Sequence, residues 1–285
     1  MKKHLSTIVL ILIFLTGLSL LLYPTFSNWW NSLHQTRAVA SYVEAMANMQ
    51  DDSYKKLWEE AEAYNRQLSA SGAGAHNMTE EELERYRSVL DVTGTGIMGY
   101  VEIGRINVLL PIYHGTDESV IQIAIGHVEW SSLPVGGEST HTVLSGHRGL
   151  PSARLFTDID QLVVGDTFLL QVLDQTLTYE VDQIRIVLPY EVEELKIEPG
   201  QDYCTLITCT PYGVNTHRLL VRGHRIDTVE EHLVRVSADA IQVNTTLVAL
   251  FIAVPVLVLL SLIVLLKPKK KTARRPVKLE IDDEE

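Results

Sequence analysis

The chain has 285 residues, 46% of them hydrophobic and 21% charged, enough for one good core plus appendages. Nine of the 24 basic residues and five of the 36 acids lie in the terminal segments, which leaves fifteen against thirty-one, about −16, between them. That balance is too acidic for a nucleic-acid binder.

Residues 5–22 are apolar and uncharged, follow Lys2 and Lys3, and end in Tyr23-Pro24. Trp29 and Trp30 come soon after, as in an interfacial aromatic belt. A cleaved signal peptide is the rival reading, with Ala38-Val39-Ala40 as its site. That site lies well beyond the apolar run, and the run is long for such a signal. Residues 5–23 are therefore read as an uncleaved transmembrane anchor, after a cytoplasmic stub at 1–4.

An external helical segment is expected at 24–96. Good helix formers dominate residues 35–65, which read as helix without Gly or Pro. Residues 68–78 are a flexible linker by composition, and Thr79-Glu80-Glu81-Glu82 is a capping-box pattern opening a second short helix through Leu90.

From residue 97 the period changes. Short β-rich runs occur at 100–103, 108–112, 142–144, 168–172, 176–181, 185–188, 204–208 and 218–222, separated by turn residues such as Gly104, Gly165 and Gly200. Eight short strands at this spacing predict a barrel or sandwich, mainly β, over 97–230. A juxtamembrane linker at 231–246 leads to residues 247–266, an unbroken apolar run of spanning length. Lys267, Lys269, Lys270 and Lys271 follow it at once and begin a cytoplasmic tail at 267–285. Positive charge at the outer end of both apolar runs places both termini in the cytoplasm and the barrel outside.

Gly94, Gly96 and Gly99 match a dinucleotide fingerprint by spacing alone. They precede a strand instead of joining a strand to a helix, so the phosphate cradle is missing. Asn77-Met78-Thr79 fits a glycan acceptor, a triplet that also arises by chance. There is no CxxC and no paired-histidine spacing, so no metal site and no cofactor are expected.

The chemistry centres on Cys209, at the end of the run Tyr203-Cys204-Thr205-Leu206-Ile207-Thr208-Cys209. Pro211 breaks the strand two residues later, which fixes the thiol beside a loop. Cys204 is mid-strand and five residues away, on the opposite face, so a disulfide between the two is excluded. A nucleophilic thiol needs a base or a cationic neighbour. Of ten histidines, His147 in Ser145-Gly146-His147-Arg148-Gly149 and His127 in Gly126-His127-Val128 are the best placed, and residue reasoning alone leaves both open. Acyl transfer also needs a donor for the oxyanion. Arg218, opening the strand after the 212–216 loop, could supply it and depress the thiol pKa.

Thr205-Leu206-Ile207-Thr208-Cys209 resembles the TLxTC signature of sortases. Residues 210–223, the stretch Leu110-Pro111-Ile112-Tyr113-His114-Gly115 and the stretch 142–155 resemble the class C, pilin-polymerising members from Gram-positive bacteria. The resemblance covers roughly residues 90–226. It implies the eight-stranded sortase β-barrel with short helices, preceded by an α-helical N-terminal segment and flanked by two transmembrane helices. It also implies His147, Cys209 and Arg218 as the catalytic trio. Thr208, Ser145 and Leu206, their neighbours in the same motifs, are expected to bind substrate.

The implied reaction is attack on the Thr–Gly bond of an LPxTG-like sorting signal, followed by transfer from a thioacyl intermediate on Cys209 to a pilin lysine. The partners are then pilin subunits and the cell membrane, without nucleic acid. Attachment of proteins to peptidoglycan, or a non-catalytic membrane-tethered binding module, are the alternatives. Residues 65–95 contain no proline, hence no Asp-Pro-aromatic plug of the kind the family usually carries. The lid is therefore expected to be degenerate, shorter in reach or absent as a plug.

Overall fold

The computed structural model describes residues 2–71 and 78–228. The expected second span, the linker before it, the tail after it and Asn77 lie outside the described residues. The N-terminal apolar run is helical, but the helix does not stop at Pro24. Helix α1 (Lys2–Ala47) is 46 residues long with Pro24 inside it. A proline costs a helix one N–H bond, and helices in apolar surroundings carry it. Residues Val9–Ala47 include a window long and apolar enough to cross a membrane, none of it buried.

The single helix expected over 35–65 is two. A non-helical break at residues 48–50 separates α1 from α2 (Asp51–Ser71), so α2 takes up the first residues of the expected linker. Helix α3 (Glu80–Ser88) opens with the capping box read from sequence: the Thr79 hydroxyl accepts the Glu82 N–H and the Glu82 carboxylate accepts the Thr79 N–H.

Eight strands follow: β1 (Ile97–Ile103), β2 (Val108–His114), β3 (Ile125–His127), β4 (Thr140–Ser145), β5 (Thr167–Val172), β6 (Gln175–Val187), β7 (Asp202–Thr210) and β8 (His217–Ile226). They close into a barrel in the order β1-β2-β3-β4-β7-β8-β6-β5. Pairing is parallel at β2–β3 and β4–β7 and antiparallel elsewhere. Two expected strands, 176–181 and 185–188, are one. β6 runs on through a bulge between Val181 and Gln183, and the displaced Asp182 takes a two-pronged grip on Arg222, both N–O distances being 3.0 Å. β3, not expected, restores the count.

Val101, Ile103, Ile112, Leu144, Leu170, Leu206 and Val221 fill the interior with essentially no exposure, the alternate-residue filling that a small closed barrel demands. Gly99 is needed where β1 meets β5, since a Cβ there would lie 2.3 Å from the Gln171 carbonyl oxygen.

Three buried polar side chains fasten the helices to this barrel. The Tyr42 hydroxyl of α1 donates to the Met98 carbonyl at 3.0 Å and accepts the Leu173 N–H at 2.8 Å. Asn65 of α2 exchanges two hydrogen bonds with the Leu133 backbone, at 3.0 and 2.7 Å. The Tyr86 hydroxyl of α3 meets His127 Nδ1 at 2.9 Å and accepts the Gly115 N–H at 3.0 Å. His127 is fully buried, and its Nε2 lies 2.8 Å from the Ser132 carbonyl oxygen. His141 is held between the Lys196 carbonyl and the Thr205 hydroxyl, at 2.9 and 2.7 Å.

Burial drives the pKa of His127 down to about 3 and that of His141 to about 4. The unfolded chain takes up protons on these rings below about pH 6.5, which the folded chain refuses, so acid favours unfolding. Stability should fall from pH 7 to pH 5 with a slope approaching about 1.4 kcal/mol per pH unit for each ring. Urea midpoints at the two pH values measure it, and a midpoint that holds or rises at pH 5 contradicts it. Tyr42→Phe leaves the Leu173 N–H and the Met98 carbonyl without their partner and should cost about 1–3 kcal/mol in the same denaturation experiment. A loss within error of zero would mean that the α1 attachment does not depend on that hydroxyl.

Candidate active site

The alternation of β7 decides what can reach solvent. Cys204, Leu206 and Thr208 point inward. Cys204 and Leu206 belong to the barrel core, and burial, with Asp202 nearby, pushes the Cys204 thiol far up. On the other face Thr205 is buried, and Ile207 forms a second, smaller apolar cluster with Val143, Leu195 and Leu220. Cys209 ends that face, half-buried and free, as Cys204 is also free.

Two of the expected substrate contacts lie inside the barrel. Leu206 is fully buried in the core. Thr208 is 2% exposed, and its hydroxyl donates to the Gly146 carbonyl at 2.7 Å. It is a tie between strands. Ser145 is half-buried and pairs with Ile207, on the face that carries Cys209.

β8 brings Arg218 directly opposite Cys209 in antiparallel register, and Leu220 opposite Ile207 two residues along. The Arg218 guanidinium donates through Nη1 to the carbonyls of His217, at 3.1 Å, and Asn215, at 3.4 Å. Closure of the barrel leaves β8 no free edge, with β7 on one side and β6 on the other.

The histidine arrives from the other side. β4 runs parallel to β7 with Leu144 against Leu206 and Ser145 against Ile207. The Gly146 N–H donates to the Ile207 carbonyl at 3.0 Å, which carries the pairing past the end of the strand. Two residues beyond the Ser145–Ile207 pair, the two chains present His147 and Cys209. Glycine is required at 146, since a Cβ would lie 2.5 Å from Ile125 Cδ1 and 2.8 Å from the Phe156 ring. That closeness holds the turn rigid, and the Phe156 N–H donates to the His147 carbonyl at 3.2 Å.

His147 Nε2 is buried and without a hydrogen-bond partner, as is Arg148 Nε. Both orphans on consecutive residues at this site are notable because buried polar atoms are otherwise nearly always paired. His127, the other candidate, has both ring nitrogens occupied and no exposure. Nothing in its flanking residues distinguishes it from His147. What does is Tyr86, from a helix 41 residues away.

The sortase domain family matches residues 101–226. A crystal structure of sortase C1 from Streptococcus agalactiae is 54% identical, covering 68% of this chain and all of that one, with a TM-score of 0.66. A sortase C from Streptococcus pneumoniae is 42% identical over 67% of this chain and 97% of its own, with a TM-score of 0.61. A sortase C from Clostridium perfringens, solved with the C-terminal cell wall sorting motif, is 42% identical over 68% of this chain and all of its own, with a TM-score of 0.59. The chain belongs to the sortase family of cysteine transpeptidases, and its solved neighbours are class C sortases.

Proposed function

We propose that this chain is a membrane-anchored transpeptidase that cuts an LPxTG-like sorting signal between Thr and Gly and joins the new carboxyl end to a lysine of a pilin subunit. The observation that carries the reading is the meeting of three chain segments at one strand tip: Cys209 is the next-to-last residue of β7, Arg218 stands opposite it on β8, and His147 leaves β4 alongside. The substrate class is supported by the neighbours, one studied for pilin substrate specificity and one solved with a cell wall sorting motif.

In this reading the Cys209 sulfur, as thiolate, adds to the threonine carbonyl carbon. The Arg218 guanidinium donates to the oxyanion that forms. Protonated His147 gives its proton to the glycine nitrogen as the C–N bond breaks, leaving a thioester on Cys209 and releasing the C-terminal fragment. The lysine amine then attacks that thioester, His147 takes up the amine's proton, and the thiolate departs as the isopeptide bond closes. Water in place of the amine gives hydrolysis.

The half-buried Val187 and Val192, packed over the second apolar cluster, form an apolar patch on the face that leads to Cys209. It suits the Leu-Pro side of the signal, and Ser145, paired with Ile207, lies on the same face. Tyr212 and Val214, 61% and 64% exposed on the β7–β8 loop, offer apolar surface at the mouth. The site sits on the external side, with α1 as one anchor and residues 247–266 as the second, and both termini in the cytoplasm.

Incubating the full chain in detergent micelles with a Leu-Pro-x-Thr-Gly peptide should leave the acyl fragment as a mass adduct on Cys209. Cys209→Ala should form none and lose cleavage by about three orders of magnitude or more. Cleavage that survives Cys209→Ala would mean that the nucleophile is another group. Given a choice of acceptors, the acyl-enzyme should transfer to a lysine-bearing pilin domain. Transfer only to a wall-peptide amine would instead make the chain an attacher of surface proteins.

A further inference from the structure

Arg148 follows His147 directly, and its side chain is only 11% exposed although it carries a full charge. It touches three segments. Its Nη2 is ion-paired with Asp160 on the short 3-10 turn Ile159–Gln161. Its Nη1 donates to the Thr210 hydroxyl at 3.2 Å, and Thr210 is the residue after Cys209. Its guanidinium centre lies 5.9 Å from the centroid of the Tyr212 ring on the β7–β8 loop. That ring also covers Gly149, where a Cβ would meet it at 3.0 Å.

The turn that carries His147 and the turn that leaves Cys209 are thus interlocked, and Arg148 is the pin between them. The bonds from the Thr208 hydroxyl and the Gly146 N–H fix the two strands, but they end before the reactive residues. Beyond them, among the described contacts, Arg148 and its partners Thr210 and Tyr212 are what join the two turns. Only a flat guanidinium with donors in several directions can hold a carboxylate, a hydroxyl and a ring at once; an ammonium presents one point of charge. The orphaned Nε is consistent with a side chain whose position is dictated by those outer contacts.

Resting on the catalytic assignment above, we propose that Arg148 is a positioning residue for transacylation: through Thr210 and Tyr212 it sets the approach of the His147 ring to the Cys209 sulfur. It touches neither substrate nor reacting atoms. Its loss leaves both catalytic groups in place but loosens their mutual geometry, and misplacement by about 1 Å can cost about 100-fold in rate.

The test compares Arg148→Gln, Arg148→Lys, Thr210→Val and Thr210→Ser in the full chain, by cleavage of a Leu-Pro-x-Thr-Gly peptide and by the pH profile of Cys209 alkylation. Arg148→Gln should lower kcat about 100-fold with KM little changed, and its alkylation profile should move toward that of His147→Ala. Arg148→Lys should not restore the rate. Thr210→Val, which keeps the shape and removes the acceptor, should lower kcat in the same direction, while Thr210→Ser should stay near wild type. The Arg148→Gln/Thr210→Val pair should be no worse than Arg148→Gln alone.

If Arg148→Gln fails to fold, the Val and Ser substitutions at 210 decide the matter. A kcat near wild type in Thr210→Val, or a wild-type alkylation profile in a folded Arg148→Gln, overturns the proposal. Cys209→Ala run alongside separates the two ideas. Activity persisting there breaks the catalytic assignment itself, whereas activity lost there with Arg148 and Thr210 variants unaffected breaks only the positioning role.

Discussion

The site depends on one strand pairing. β4 and β7 are separated by the β4–β5 connection, two further strands and a long loop, yet they lie parallel and adjacent, with six residue pairs in unbroken register. Parallel neighbours run in the same direction, so the residues just past their ends emerge on the same rim of the barrel. A slip of one residue would turn Cys209 inward and Thr208 outward. Register here is enforced twice over, by Leu144, Cys204 and Leu206 filling the core and by the Thr208 hydroxyl and Gly146 N–H bonds at the strand ends.

Around that pairing the buried polar groups divide by task. His127 and His141 are enclosed, hydrogen-bonded on both sides and held neutral by burial, and they serve as internal brackets for α3 and for the segment around Lys196. Arg222 is likewise consumed, gripped by Asp182 and lying 4.1 Å over the Tyr203 ring. His147 differs in keeping a ring nitrogen uncommitted. A proton shuttle needs one ring nitrogen able to face the reacting groups, whereas both nitrogens of His127 are taken by internal structural partners.

The N-terminal helix adds a mechanical link. The Arg154 N–H donates to Asn28 Oδ1, and Asn31 Nδ2 donates to the Ser152 carbonyl, both at 2.8 Å. The loop that begins at His147 is thereby fastened to α1 just beyond its most apolar stretch. Much of this organisation is legible in the sequence: the apolar run, the Thr79 capping box, the change of period at residue 97 and the isolation of Cys209 at a strand end. What was not legible has local causes. β3 is three residues long, too short for a period to register. Asp182-Gln183 reads as a turn between two strands because a bulge and a turn carry the same polar residues, and only the cross-strand Arg222 distinguishes them. The break at 48–50 has neither Gly nor Pro to mark it. Leu206 and Thr208 adjoin Cys209 in sequence, but the alternation that turns Cys209 outward turns them inward.

The separation between the Cys209 sulfur and the nearer His147 ring nitrogen, in a high-resolution crystal structure of the full chain, probes the β4–β7 alignment most directly. The two atoms should lie about 3–4 Å apart, directly or through one water. A gap beyond about 7 Å, or a sulfur turned into the barrel beside Leu206, would contradict the account.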